Sequence, residues 1–351
     1  MRRSHPLRTL VSPGAEHLPL PVRSRTRLNA LLRRLWSLCS RRFRELAAIG
    51  TAVGVAAALW SERKALVDFD WRLAPGSFAV AIVLFAVAPF LQAFSFWVML
   101  RLLGLEAWLS EALLLWMRSF LLRYAPSGAL ALVIRIRDRR RFAASTQDVW
   151  LVSGYENIAA LCAGAFVCVA AFGLAGGWPP LLAIAIAAAA LALAVAARPA
   201  FFRHWARALL ARRGLDFPSL LRGRQLALVI AVNVLGWVTT GAAAYLLLRA
   251  LVDHLDAPPV WVTAVYSFAW LLGFIVPLLP SGLGLRDGVL VALLASRVGV
   301  GPATAVAIAL RLAATLGELL AIGLTEGAYG LLRLLGVTAP LPVVEDREVE
   351  S

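Results

Sequence analysis

Charge is scarce in this sequence, and acidic charge most of all. Only 16 % of the 351 residues are charged, and 35 basic side chains stand against 20 acidic ones. Lysine is almost missing: every basic residue but Lys64 is arginine, which we take as genomic bias rather than function. The three cysteines, Cys39, Cys162 and Cys168, have neither metal nor redox spacing and read as small apolar fillers. No acids cluster as a Mg²⁺ site would need. There is no His-Glu-x-x-His, no nucleophile elbow and no aspartate-rich prenyl-diphosphate motif. Gly282-Leu283-Gly284 has no Lys-Ser/Thr after it and no strand before it, so it is not a phosphate loop. These absences leave no catalytic residue, metal or other cofactor to assign, and a non-enzymatic role is expected.

What is present is apolar. Hydrophobic residues make up 61 % of the chain and the mean hydropathy is +0.78. Several runs reach the roughly 20 helical residues that cross a hydrocarbon core. The fold class is therefore an all-α polytopic membrane protein, and a soluble domain of any size is excluded. The net charge of +15 sits in loops beside the spans. It reads as cytoplasmic arginine facing anionic lipid, not as a nucleic-acid surface.

Full spans are predicted over 46–60, 77–103, 149–174, 181–197, 225–248 and 302–334. Residues 1–45 read as a basic cytoplasmic arm with a juxtamembrane helix, although for 1–25 a misassigned start is an equal reading. The first membrane half is 46–175, the second 176–335, and 336–351 form an acidic tail. Arginine-rich loops around 135–141 and 198–224 belong in the cytoplasm. Both termini are then cytoplasmic, in a multi-pass inner (plasma) membrane protein.

Two breaks organise the rest. Pro277-Leu278-Leu279-Pro280-Ser281-Gly282-Leu283-Gly284-Leu285-Arg286-Asp287-Gly288 interrupts an apolar run, and Pro126-Ser127-Gly128 lies 154 residues before Pro280. Proline removes a backbone donor and glycine permits φ > 0, so a helix at membrane depth breaks there. Such breaks persist only where protein or a wet cavity satisfies the freed groups. The segment 111–134 begins and ends on the cytoplasmic side by its charges, so it reads as a re-entrant hairpin tipped at Pro126. A second hairpin over 261–296 is tipped at Pro280. Each half is then span, span, hairpin, span, and the halves form an inverted repeat, the pattern of secondary transporters.

A charge within a span costs about 2.5–3.5 kcal/mol even on mild scales. The candidates are Arg118, Arg123, Glu156, Arg286, Asp287, Arg311 and Glu318. Arg311, Thr315, Glu318 and Thr325 share one helical face, and Glu156 joins Ser153 and Asn157. A polar cleft between the halves, richer in arginine than in acid, would bind an anion such as a lipid phosphate bidentately. For each there is a plainer reading. Arg123 snorkels, Arg311 and Glu318 form a structural pair, and Arg286-Asp287 only cap a half-helix.

The run Pro280-Ser281-Gly282-Leu283-Gly284-Leu285-Arg286-Asp287-Gly288 resembles the P-G-G-L-G-V-R-E-G/A motif of the flippase-like family that includes the transmembrane region of lysylphosphatidylglycerol synthase. The family's first motif, P-G-R-x-G-E-x-x-R, is matched at Pro126 and Gly128, with Arg135 one residue late. Glu156 resembles the family's span acid and Arg311 its last-span arginine. The resemblance covers roughly 46–335. It implies substrate-binding roles for Pro126, Gly128, Arg135, Glu156, Pro280, Gly282, Gly284, Arg286, Asp287 and Arg311, to which the helical face adds Glu318. The sequence ends about fifteen residues past the last span, so the resemblance implies the translocase part without the soluble synthase. The expected cargo is an anionic membrane phospholipid or a lipid-linked sugar. A glycosyltransferase or aminoacyl-transferase partner is also expected. Two other readings stay open: a membrane transferase acting on a lipid phosphate with Asp287 or Glu156 as base, and a scaffold for an envelope-synthesis enzyme.

Overall fold

The computed structural model describes residues 60, 74–124, 129–175, 221–252, 257–275 and 285–336. Among them every regular element is helical. Eight α-helices follow in order: α1 (Pro75–Leu102), α2 (Leu109–Phe120), α3 (Ala129–Arg137), α4 (Thr146–Ala175), α5 (Gly223–Leu251), α6 (Pro259–Ile275), α7 (Leu285–Val298) and α8 (Val300–Leu334). Short 3₁₀ turns extend α2 (Leu121–Tyr124) and follow α3 (Arg139–Phe142).

Local chemistry sets the ends. Pro75 and Pro259 open α1 and α6, where a missing N–H costs nothing. At the start of α4, Ser145 and Asp148 form a reciprocal capping box. The Asp148 N–H donates to Ser145 Oγ (3.1 Å) and the Ser145 N–H to Asp148 Oδ2 (2.8 Å). α1 stops at Gly104, whose φ of 83° lets the Leu105 N–H reach back to the Leu100 carbonyl at 3.0 Å.

Helices α1, α4, α5 and α8 are long and apolar enough to cross a membrane. With 28, 30, 29 and 35 residues, each exceeds a hydrocarbon core of about 30 Å at about 1.5 Å per residue. They correspond to the predicted spans 77–103, 149–174, 225–248 and 302–334. The chain is thus a multi-pass membrane protein. The predicted spans 46–60 and 181–197, the basic arm and residues 337–351 lie outside the described residues. By contrast the described parts of α2, α3, α6 and α7 are shorter, with 12, 9, 17 and 14 residues. The order long, short, short, long therefore occurs twice.

The longest helix contact joins α1 to α5, and they run antiparallel. The Ala74 N–H donates to the Ala250 carbonyl (3.1 Å) at one end, and Asn233 Nδ2 donates to Ser95 Oγ (2.8 Å) further along. Small and polar residues such as Ser95 and Asn233 suit this close helix contact. The other pairings come in twos. α8 packs on α1 as α4 packs on α5, and α4 on α6 as α2 on α8; α3 packs on α4 as α7 packs on α8. Among the described helices, exchanging α1–α4 for α5–α8 maps the main packing pairs onto one another.

Two matching crossings, α8 on α1 and α4 on α5, use glycine for close approach, as does Gly241 of α5 against Thr263 of α6. A Cβ on Gly317 of α8 would lie 2.6 Å from Phe85 Cβ and 2.9 Å from the Ala86 backbone nitrogen of α1. A Cβ on Gly164 of α4 would meet the Trp237 ring of α5 at 2.7 Å. Pro89 frees the Phe85 carbonyl of its helical donor at the level of the first crossing. Facing outward, Leu312, Leu316, Leu319, Leu320 and Leu324 form an exposed stripe on α8, the surface expected against acyl chains.

Candidate functional site

Three groups of charged side chains lie among these helices. The first follows the first break. Arg135, near the end of α3, is buried and pairs with Glu156 of α4; their side chains are 8 % and 19 % exposed. Arg135 Nη1 donates to Glu156 Oε2 and, at 3.2 Å, to Ser153 Oγ, while Nη2 donates to Glu156 Oε1 at 3.3 Å. Its Nε donates to Ser119 Oγ (2.9 Å), and the Ser119 hydroxyl donates to the Trp116 carbonyl (2.8 Å). The guanidinium carbon stands 4.8 Å from the centre of the Phe96 ring. Trp116 Nε1 donates to Glu156 Oε1 at 2.6 Å, and the indole stacks on Phe120 with centroids 4.5 Å apart. Helices α1, α2, α3 and α4 all contribute.

The second group follows the second break. Asp287, in the first turn of α7, accepts from Arg311 Nη1 of α8 and from Arg286 Nε at 3.4 Å. An acid in a first helical turn also faces the positive end of the helix dipole. One carboxylate thus bridges two guanidiniums, leaving a net positive charge in a partly buried place.

The third group was not foreseen from the sequence, apart from Arg118. Glu111 of α2, itself buried, accepts from Arg141 Nη1 (2.9 Å) and from the Tyr329 hydroxyl of α8 (2.6 Å). One turn or two along, Arg118 grips Glu326 with both ends of its fork, Nε to Oε1 at 2.6 Å and Nη2 to Oε2 at 2.8 Å. Arg141 lies in the turn after α3. Burial works against its charge, but the Glu111 hydrogen bond and charge outweigh this and hold its pKa above the ordinary value. The signal that could have found this group is the spacing of Glu326 and Tyr329 on one face of α8, matched by Glu111 and Arg118 on α2.

Of the predicted site residues, Arg135 and Glu156 are joined, as are Arg286, Asp287 and Arg311. The two sets form separate ion-pair groups. Arg311, for which a structural pair with Glu318 is the plainer reading of the sequence, pairs with Asp287. Glu318 is buried on α8 next to the Gly317 crossing. Thr315 and Thr325 turn their hydroxyls to carbonyls of their own helix. Ser153 joins the first group as predicted, while Asn157 is exposed and donates to the Ser153 carbonyl. Pro126, Gly128, Pro280, Gly282 and Gly284, the tips of both predicted hairpins, lie outside the described residues, and so does the side chain of Arg123. Among the described residues no group of His, Cys, Asp and Glu could hold a metal ion.

Residues 23–338 match the family described as Lysylphosphatidylglycerol synthase TM region. No curated protein matches the chain.

Proposed function

Because the chain belongs to the lysylphosphatidylglycerol synthase TM-region family, we propose that it is a translocase that carries the headgroup of an anionic phospholipid or a polyprenyl-phosphate-linked glycolipid across the bilayer. The observation that carries this reading is the group at the second break, where Asp287 is shared by Arg286 and Arg311. Two guanidiniums for one carboxylate leave fork-shaped donors free for phosphate oxygens. Charges so placed in a membrane are costly, and a substrate path is their usual use.

The architecture behind the reading is an inverted repeat of two halves, each ending in a re-entrant hairpin and a span, with six full spans in all. Three observations support it: the repeated long, short, short, long order, the closed set of helix pairs under exchange of halves, and the antiparallel course of α1 and α5. Equivalent helices run antiparallel only when the repeat is inverted. The arginine-rich loops put both termini in the cytoplasm of an inner (plasma) membrane protein. A glycosyltransferase or aminoacyl-transferase would hand over the lipid, and no chemistry is assigned to this chain.

Arg286→Ala should abolish lipid translocation in reconstituted vesicles while the protein stays folded and inserted. A charge-assisted contact is worth roughly 1.5–3 kcal/mol, so headgroup binding should weaken at least about tenfold. Arg286→Lys should restore only part, since an ammonium lacks the fork. Translocation by Arg286→Ala at the wild-type rate would remove Arg286 from the path and leave it a helix cap.

A further inference from the structure

The arginine at the first break is occupied by the protein's own carboxylate, and each partner has a second, independent mount. Arg135 is held without Glu156: its Nε rests on Ser119 Oγ at 2.9 Å and its plane on Phe96. Glu156 is held without Arg135: its Oε1 receives the Trp116 N–H at 2.6 Å. Only the Nη edge of the guanidinium, together with Ser153, is committed to the pair. A pair built only to lock two helices has no need of a separate anchor for each member.

We propose that Glu156 is a resident counter-anion that sets how tightly the first-break site holds a lipid phosphate. The arriving phosphate oxygens take the Nη edge of Arg135, and Glu156 withdraws onto Trp116. When the headgroup leaves, Glu156 returns. The inference rests on the translocase reading and assigns this site's ligand class, a phosphate monoanion on a lipid.

The physical need follows from the medium. A guanidinium waiting unpaired in a buried place is expensive. One that meets a phosphate in low dielectric binds it strongly. A carrier must capture and also release, so its sites have to bind weakly enough to let go. Swapping one anion for another meets both demands, because the guanidinium is neutralised before, during and after occupancy. Trp116 is then a positioning residue that keeps the displaced carboxylate hydrogen-bonded, and Glu156 sets affinity without any chemistry.

The test uses the full chain in phosphatidylcholine vesicles carrying phosphatidylglycerol and a fluorescent phosphatidylglycerol reporter. Half-saturation and maximal translocation rate are measured separately. Glu156→Gln removes the competing charge, so half-saturation should fall about tenfold or more while the maximal rate drops by a similar factor. Trp116→Phe keeps the ring and removes the N–H that receives the displaced carboxylate, so half-saturation should rise about tenfold. Opposite shifts in affinity are what a merely structural pair cannot give. Shifts in the same direction, or a Glu156→Gln protein with unchanged or weaker headgroup binding, would overturn the proposal. If Glu156→Gln fails to fold, an unchanged half-saturation in Trp116→Phe overturns it alone. Should glycerol 3-phosphate saturate the site as well as the lipid does, the lipid assignment falls. A wild-type protein that neither binds nor moves the reporter would overturn the translocase reading first, a result distinct from the others.

Discussion

The two breaks carry one construction with its charges exchanged. After the first, the cation sits on the short helix and the acid on the long one, Arg135 of α3 with Glu156 of α4. After the second, the acid sits on the short helix and the cation on the long one, Asp287 of α7 with Arg311 of α8. Pro126 and Pro280 are 154 residues apart, and so are Thr146 and Val300, the first residues of α4 and α8. Glu156 and Arg311 then fall at nearly equivalent points of equivalent helices. The second group also has one more guanidinium, Arg286, and is somewhat more open: its acid is 27 % exposed against 19 % for Glu156, and its arginines 14 % against 8 % for Arg135. Under the proposed function, the net-positive second group would be the one that attracts an anion and the neutral first group the one that holds it briefly.

The sharpest way to break this comparison is to unpair the drier group. Arg135→Ala leaves the part-buried Glu156 with only the Trp116 donor, and removing one member of a buried pair costs up to about 3–5 kcal/mol. Thermal unfolding in detergent should record that loss. Asp287→Ala should cost less, because Asp287 is the most exposed member of either group, at 27 %. The exchange Arg135→Glu with Glu156→Arg should recover part of the stability lost by either single change. If Asp287→Ala destabilises as much as Arg135→Ala, the two groups are equally dry and the division of tasks fails.

Next in size are the two glycine crossings, which occupy matching pairs of helices. Gly317→Ala would press a methyl into the α1 backbone at Phe85 and Ala86, which cannot rotate away. Gly164→Ala would press on the Trp237 side chain, whose ring can shift. Overpacking costs about 1–3 kcal/mol, and Gly317→Ala should lie at the upper end with Gly164→Ala below it. Both are read in the same unfolding measurement. The reverse order would mean that α1 yields more readily than the indole, and that the α1–α8 crossing is the looser twin.

Much of this was legible in the sequence. Apolar length located four spans within a few residues, because burial against lipid leaves a simple composition signal. Proline and glycine marked the places where short helices replace long ones, since their backbone effects are local. Cost reasoning found Glu156, Asp287 and Arg311, because an ionisable group in a span is rare enough to stand out. What periodicity could not supply was which charge meets which. Arg311 and Glu318 share a helical face, yet Arg311 turns to Asp287 on the neighbouring helix, a choice made by tertiary packing. Glu111, Arg141, Glu326 and Tyr329 escaped notice because helix ends and loops carry such residues as a matter of course.

The smallest effect should come from the seam between α2 and α8, and it sharpens the comparison most finely. Its twin between α4 and α6 is apolar: Cys168, Phe172, Ala264 and Val265 lie buried in one cluster. The α2–α8 seam is instead tied by Arg118 to Glu326 and by Glu111 to Tyr329. Both members of the Arg118 pair are 40 % exposed. Pairs this open contribute about 0.2–1 kcal/mol despite good geometry, and salt weakens them further. Arg118→Gln should therefore lower the unfolding temperature by only a few degrees, about 2–4 °C per kcal/mol in large domains, and the difference should shrink at high salt. Glu111→Gln, in a buried place with two donors, should cost more than Arg118→Gln. The α2–α8 seam thus combines polar ties with buried apolar contact, Ala112, Leu115 and Trp116 lying in one cluster with Ala321, where its twin is apolar. If Arg118→Gln proves as damaging as Arg135→Ala and indifferent to salt, the seam is dry, and the two sides of the molecule are closed by equally strong means.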